Sequence, residues 1–307
     1  MAFVDEILSS ARQEVIEAPM LPLSIVNSEY INVIREIPRG VKAHTFKTMT
    51  RYGVAEIITT RATSVPLFED SQEDYLVAVY PVRQAFELEF DDLELAEENN
   101  QNIATPKMQG VRESIERELD IVGFEGRQQT TLKGISNNTN VTVYDFQANG
   151  DDNGTASASW EHKTAEQILE DLQTLAYLVP NQTANTVFAD RLLLPVSKFN
   201  LIATKPYNST GESILTVFRR NQASLPQGGI RDIMGHPALE TAGTGGVGRA
   251  AAYYSLSRYN RFHIPQGGDF RDLPAEIQGT TYKVTAQMRT AGVEIQRIKE
   301  IAYANLV

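Results

Sequence analysis

The chain of 307 residues contains no cysteine. That excludes disulfides, thiolate zinc sites, iron–sulfur clusters and cysteine nucleophiles together. It also lacks any apolar run approaching the ~18 residues that a membrane span needs. The N-terminus, MAFVDEILSSARQEVIE, places Asp5 and Glu6 early and has no basic-then-apolar order, so no secretion signal is expected. No H-E-X-X-H, serine elbow or P-loop occurs. Histidine is confined to His44, His162, His236 and His263, and no two stand at helical or hairpin ligand spacing. Basic charge is in deficit: 28 Lys and Arg face 39 Asp and Glu, a net charge of −11. That balance argues against a nucleic-acid groove or an anionic membrane surface as the main partner. No cofactor, metal or catalytic residue is expected.

What is present is ordinary for a globular protein, with 42% apolar and 22% charged residues. A chain of this length buries about three quarters of its unfolded surface, so a substantial core follows. The most organised stretch is 105–127. Met108, Val111, Ile115, Leu119 and Val122 recur every three or four residues, one stripe of an α-helix. Thr105 reads as its N-cap and Pro106 as its first residue. Glu113 and Arg117 are spaced for an ion pair, and Gly123 or Gly126 can end the helix.

Before this helix, Phe3, Ile7, Leu8, Ala11 and Val15 mark a short amphipathic helix broken by Pro19 and Pro22. The first 40 residues read as an arm that must lie on something else, closed by a turn at Pro38-Arg39-Gly40. Residues 44–80 read as a long two-stranded excursion whose middle, 61–74, lacks pattern. Phe86, Leu88 and Phe90 alternate with Glu87, Glu89 and Asp91, as in a strand with one buried face. Asp92 to Asn102 reads as a polar link.

After it, Gln147 to Ser159 is the most loop-like stretch and marks a subdomain boundary. Thr164 and Gln167 form a capping box for a helix carrying Ile168, Leu172 and Leu175, stopped by Pro180 and Asn181. A buried strand at 190–195 and short helices at 196–204 and 213–221 follow. Residues 228–249 are glycine-rich and irregular. Strands are expected at 250–257, 261–265 and 280–288, continuing through 292–302, with a loop at 267–279.

Two patterns invite chemistry and are weak. Gly243, Gly245 and Gly248 spell G-X-G-X-X-G, but neither flank offers the strand-then-helix context of a dinucleotide site. The acidic run from Glu87 to Glu98 offers carboxylates, and a solvated or subunit-facing edge explains it better than catalysis or a metal. Trp160 and Phe188 read as core anchors.

The order of parts, the block R-E-L-D-I-V-G-F-E-G with the turn L-K-G-I-S-N, and the late block G-T-G-G-V-G-R-A-A-A-Y-Y resemble major capsid proteins of tailed bacteriophages with the Hong Kong 97 type fold. The branch is the one that also resembles encapsulins. The resemblance spans nearly the whole chain. It implies an α+β fold with an N-terminal arm (1–43), an extended β loop (44–80), a peripheral domain (81–150 and 266–307) with a spine helix at 105–127, and an axial domain (151–265). It implies a subunit that assembles with itself through pentamers and hexamers into an icosahedral shell around phage double-stranded DNA, which it encloses without sequence-specific binding. Portal, scaffolding and decoration proteins would be its partners. The shell would assemble in the host cytoplasm and reside in the virion. Arg51, Arg61, Phe68, Glu69, Asp70, Arg112, Glu116, Arg117, Arg231, Gly245 and Arg249 would contribute contacts between subunits. Some family members cross-link through a lysine of the extended loop. No lysine lies between Lys47 and Lys107 here, so no such bond is expected. The alternatives are an encapsulin-like compartment that packages a cargo enzyme, and a soluble enzyme.

Overall fold

A computed structural model describes residues 30–52, 67–98, 103–127, 130–208, 211–225, 228–266 and 270–306. The amphipathic segment expected at 3–15 lies outside the described residues. Described strands and helices run in the order β1 (Val33–Ile34), β2 (Ala43–Tyr52), β3 (Glu69–Ala78), β4 (Tyr80–Glu89), α1 (Phe90–Glu98), α2 (Ala104–Glu125), β5 (Val143–Asp145), β6 (Gly150–Asp152) and β7 (Thr155–Ser157). There follow α3 (Ala165–Gln182), β8 (Arg191–Leu194), α4 (Val196–Thr204), α5 (Ile214–Ala223), β9 (Asp232–Gly235), β10 (Gly248–Tyr253) and β11 (Asn260–His263). The chain closes with β12 (Arg271–Asp272), β13 (Glu276–Gln278), β14 (Thr281–Thr290), β15 (Gly292–Ile295) and β16 (Ile301–Leu306). The architecture is α+β with mixed sheets.

One sheet divides the molecule. Its order is β5-β16-β10-β8-β9, with β10 antiparallel to both β16 and β8. Successive strand residues face opposite sides, and here both sides are covered. Ala250, Ala252, Leu192, Leu194, Ala302 and Ala304 join one apolar cluster, with Ile168, Leu172 and Leu175 of α3 and Phe218 of α5. Ala251, Tyr253, Leu193, Ile301 and Tyr303 join the other, with Val111, Ile115 and Leu119 of α2. Burial on both faces explains why the GRAAAY strand has no polar alternation beyond Arg249.

The stripe of α2 is buried as its spacing predicts, with Leu119 fully covered and Ile115 1% exposed. It packs with Ala286, Met288 and Val293 of the closing strands. The helix starts earlier than expected: its N-cap is Ile103, which makes no side-chain cap bond, and Thr105 and Pro106 lie in the first turn. An ion pair on the helix joins Arg112 and Glu116 at 2.9 Å. The helix does end at Gly126, whose φ of 68° belongs to glycine and whose N–H reaches Val122 O.

Other expectations need amendment. The polar link after β4 begins as helix α1, so Asp91 is helical and leaves the strand face of Glu87 and Glu89. Pro180 sits inside the last turn of α3, which ends two residues later at Gln182. The loop-like stretch at 147–159 holds a hairpin, β6 with β7, turned by Asn153 and Gly154 at φ 51° and 87°. Positive φ at both central positions is the favoured geometry for such a tight turn. The glycine-rich 228–249 contains β9 and a 3-10 turn at Pro237–Leu239, and 267–279 contains β12 and β13. The capping box of α3 is present in both directions, Gln167 N–H to Thr164 Oγ1 at 3.3 Å and Thr164 N–H to Gln167 Oε1 at 2.8 Å.

Candidate assembly surfaces

The two sequence blocks singled out above meet at one place. The end of α2 leaves backbone carbonyls without helical partners, and the returning segment 134–137 satisfies them. Ile135 N–H donates to Gly123 O at 2.8 Å, and Ser136 donates to Phe124 O through N–H at 3.1 Å and through Oγ–H at 2.6 Å. Asn137 donates its amide to Glu125 O and accepts from Gly134 N–H. The approach leaves no room for side chains: a Cβ on Gly134 would stand 2.3 Å from Phe124 O, and one on Gly126 2.5 Å from Leu132 O. From the late block, Arg249 donates to Ser136 O at 2.8 Å while its guanidinium lies 5.2 Å from the Tyr303 ring centroid, and Tyr303 donates to Ile135 O. Burial lowers the Arg249 pKa from its ordinary value, with the electron-rich Tyr303 acting against that.

Arg249 is therefore not a surface group. It is 9% exposed and ties the central sheet to the end of α2 inside one subunit. Within the subunit its guanidinium is engaged by Ser136 and Tyr303.

The hairpin β2–β3 is the main projecting element. Its strands pair over their full length, from Ala43 opposite Ala78 to Tyr52 opposite Glu69. Only its root is well covered, where Val77 and Val41 pack against the buried Ile37, Val79 and Ala291. Beyond the root, Phe46 stacks on Tyr75 at 5.2 Å, and Leu76 is 73% exposed. Leu67 and Phe68 stand 84% and 65% exposed, beside the exposed Glu69 and Asp70. Arg51 pairs through its backbone with Asp70, and Arg61 lies outside the described residues. Of the stretch 61–74, which lacks a sequence pattern, Glu69 to Asp74 belong to β3.

The remaining expected contact residues are dispersed. On α2, Arg112 is exposed, bonds Glu116 and stands 5.8 Å from the Phe270 ring centroid, and Arg117 is half-buried. Arg231 is exposed at the start of β9. Gly245 lies at the exposed tip of the turn before β10, at φ 79°. A strand follows that turn, so the G-X-G-X-X-G pattern lacks the helix a dinucleotide would need.

Three side chains come together that linear spacing did not suggest. His263 on β11 forms a buried pair with Glu294 on β15, and the His44 ring of β2 stands 6.4 Å from that of His263. Against the penalty of burial, His263 and Gln296 hold the Glu294 carboxyl below the usual carboxylate range. A second buried pair, Lys163 and Asp171 at 2.7 Å, receives a third group in the indole N–H of Trp160 at 2.9 Å. Burial pushes the Asp171 carboxyl up, with Lys163 and Trp160 opposing. Trp160 is a core anchor as expected, whereas Phe188 is only half-buried. Pairing across strands and helices carries no short-range sequence signal. Among the described residues, no group of three His, Asp or Glu side chains is arranged to hold a metal, and no helix is long and apolar enough to cross a membrane.

A sequence family described as major capsid protein matches residues 53–307. The chain belongs to the major capsid protein family. Solved structures agree at the level of fold. The capsid of Myoviridae phage XM1 superposes with a TM-score of 0.78 at 18% identity, covering 98% of each chain. The capsid of a native GTA particle gives 0.65 at 9% identity, covering 96% of this chain and 94% of that one. A chain of Mycobacterium phage Cain gives 0.62 at 11% identity, covering 100% and 97%. No curated protein matches the sequence. The Hong Kong 97 type capsid fold expected from the sequence holds, and the likenesses give no support to an encapsulin compartment. As a capsid protein the chain is a structural subunit, not an enzyme.

Proposed function

We propose that this capsid protein assembles with copies of itself, through pentamers and hexamers, into an icosahedral shell that encloses phage double-stranded DNA. The observation that carries this is the family match across residues 53–307. The net charge of −11 supports the enclosing role, since an acidic shell does not cling to the phosphates it surrounds. In this reading α2 is the spine of a peripheral domain, and the unit containing α3 to β10 is the axial domain. The hairpin β2–β3 lies over a neighbouring subunit. Leu67, Phe68, Glu69 and Asp70 contact the neighbour, with Arg51 and Arg61 on the same excursion. Arg112, Glu116 and Arg117 face an adjacent capsomer, and Arg231 and Gly245 face the capsomer centre. Portal, scaffolding and decoration proteins are its further partners, and assembly takes place in the host cytoplasm.

The hairpin supports this reading because a monomer has no use for it. An isolated two-stranded ribbon is marginal in water, and large apolar side chains at its end gain by burial against another chain. Replacing Leu67→Ser and Phe68→Ser together tests it. The account expects a folded subunit, with unchanged circular dichroism, that no longer closes shells under the microscope. Normal shells from this variant would remove the role given to the hairpin.

A further inference from the structure

The root of the hairpin β2–β3 meets the rest of the subunit at three titratable side chains from three strands. His263 of β11 and Glu294 of β15 pair with their side chains 1% and 2% exposed. Gln296 donates to the other Glu294 oxygen at 2.7 Å. His44 of β2, half-buried, brings its ring to 6.4 Å from that of His263. Burial works against a charged Glu294, but His263, Gln296 and His44 outweigh it and hold the carboxyl below the usual carboxylate range. The charged groups around the cluster are engaged elsewhere or face solvent. Arg261, opposite Glu294 across the β11–β15 pair, bonds Glu36 at 3.1 Å. Arg289 donates to Val41 O at 2.8 Å. Glu73 of β3 and Lys133, which line a cavity beside Glu294, bond Tyr75 and Thr139, each at 2.6 Å. Arg35 and Lys42 are exposed.

We infer that His44, His263 and Glu294 form a proton-operated clasp, which seats the hairpin root while the two rings share at most one proton and releases it when both carry one. Histidine changes charge between about pH 5 and 8. One carboxylate balances one imidazolium, so a first proton leaves the cluster no worse than neutral. A second proton places two like charges on rings 6.4 Å apart, where the low dielectric of a buried site strengthens their repulsion. His44 is the ring carried by the hairpin, so the repulsion acts on β2. The seated state therefore binds fewer protons than the released one, and acid favours release. The clasp lies within one subunit and does not rest on the hairpin's lying over a neighbour.

Amide hydrogen exchange of the unassembled full-length chain tests this, read by mass spectrometry at about pH 7.5 and about pH 5.5, either side of the ordinary histidine value. Rates are corrected for the intrinsic effect of pH. Peptides from 43–49 and 75–80 should exchange several-fold faster at the lower pH, while the peptide 165–182 of α3 keeps its protection. No change at the root, or an equal loss in α3, would overturn the inference. His44→Gln, neutral at both values, should keep the root protected at both, and a response as large as that of the native chain would overturn it. His44→Lys, charged at both, should exchange fast at both. A root in that variant as protected as the native one at the higher pH would also overturn it.

Discussion

At the residue scale, the junction behind α2 is where single changes matter most. Gly134→Ala puts a methyl group against Phe124 O, with backbone on every side and no flexible side chain to yield. The variant should lose ~1–3 kcal/mol, the usual cost of overpacking, measured as a lower denaturant midpoint with unchanged slope. The buried Lys163–Asp171 pair gives a second expectation. Asp171→Ala leaves an ammonium buried without its carboxylate, which costs ~3–5 kcal/mol in comparable cases. Adding Lys163→Met should recover much of that loss. His236 gives a third. Its ring stacks on Phe124 at 3.6 Å, and burial lowers its pKa, with Asp120 acting against that. A histidine kept neutral by the fold stabilises above its unfolded pKa and loses that contribution as pH falls through the range between unfolded and folded values. The melting temperature of the subunit should therefore drop on acidification below about pH 6.5. His236→Asn, which retains a side-chain acceptor for the Ala238 N–H, should flatten that drop. An identical pH profile would remove His236 from the account.

At the scale of elements, α2 carries a residue that works against it. Gly110 is helical, and a Cβ added there meets nothing within 4 Å. Gly110→Ala should raise subunit stability by ~0.5–1 kcal/mol through backbone entropy alone. Much of the element pattern was legible in the sequence because it is periodic or capped. The α2 stripe and the Thr164–Gln167 capping box depend on neighbours within one or two turns, and the structure has both. The failures share a cause as well. Helix α1 was hidden because acidic residues in a first turn look like a polar loop until a helix N-terminus explains them. The stretch 147–159 looks like a loop because its strands are only three residues long, yet Asn153-Gly154 makes a tight hairpin turn between them. The meeting of Arg249 with Ser136 O, and of His44 with His263 and Glu294, depends on segments far apart in the chain. No local spacing encodes such contacts.

At the scale of the whole molecule, a sheet buried on both faces gives a rigid body, and the hairpin β2–β3 extends from it. Both cores meet at β8, β10 and β16, so subunit stability and any contact made by the hairpin are physically separate. Variants in the hairpin should alter assembly while leaving unfolding of the subunit unchanged. The extended excursion lacks lysine between Lys47 and Lys107, so shells should dissociate to monomers on boiling in detergent, and a boiling-resistant ladder would contradict this. The central claim is that many copies close into a shell, and negative-stain microscopy of the purified native particle, with size measurement, tests it most directly. The account predicts uniform closed shells built of this chain. A subunit that stays monomeric in every condition, including in the presence of its phage partner proteins, would contradict it.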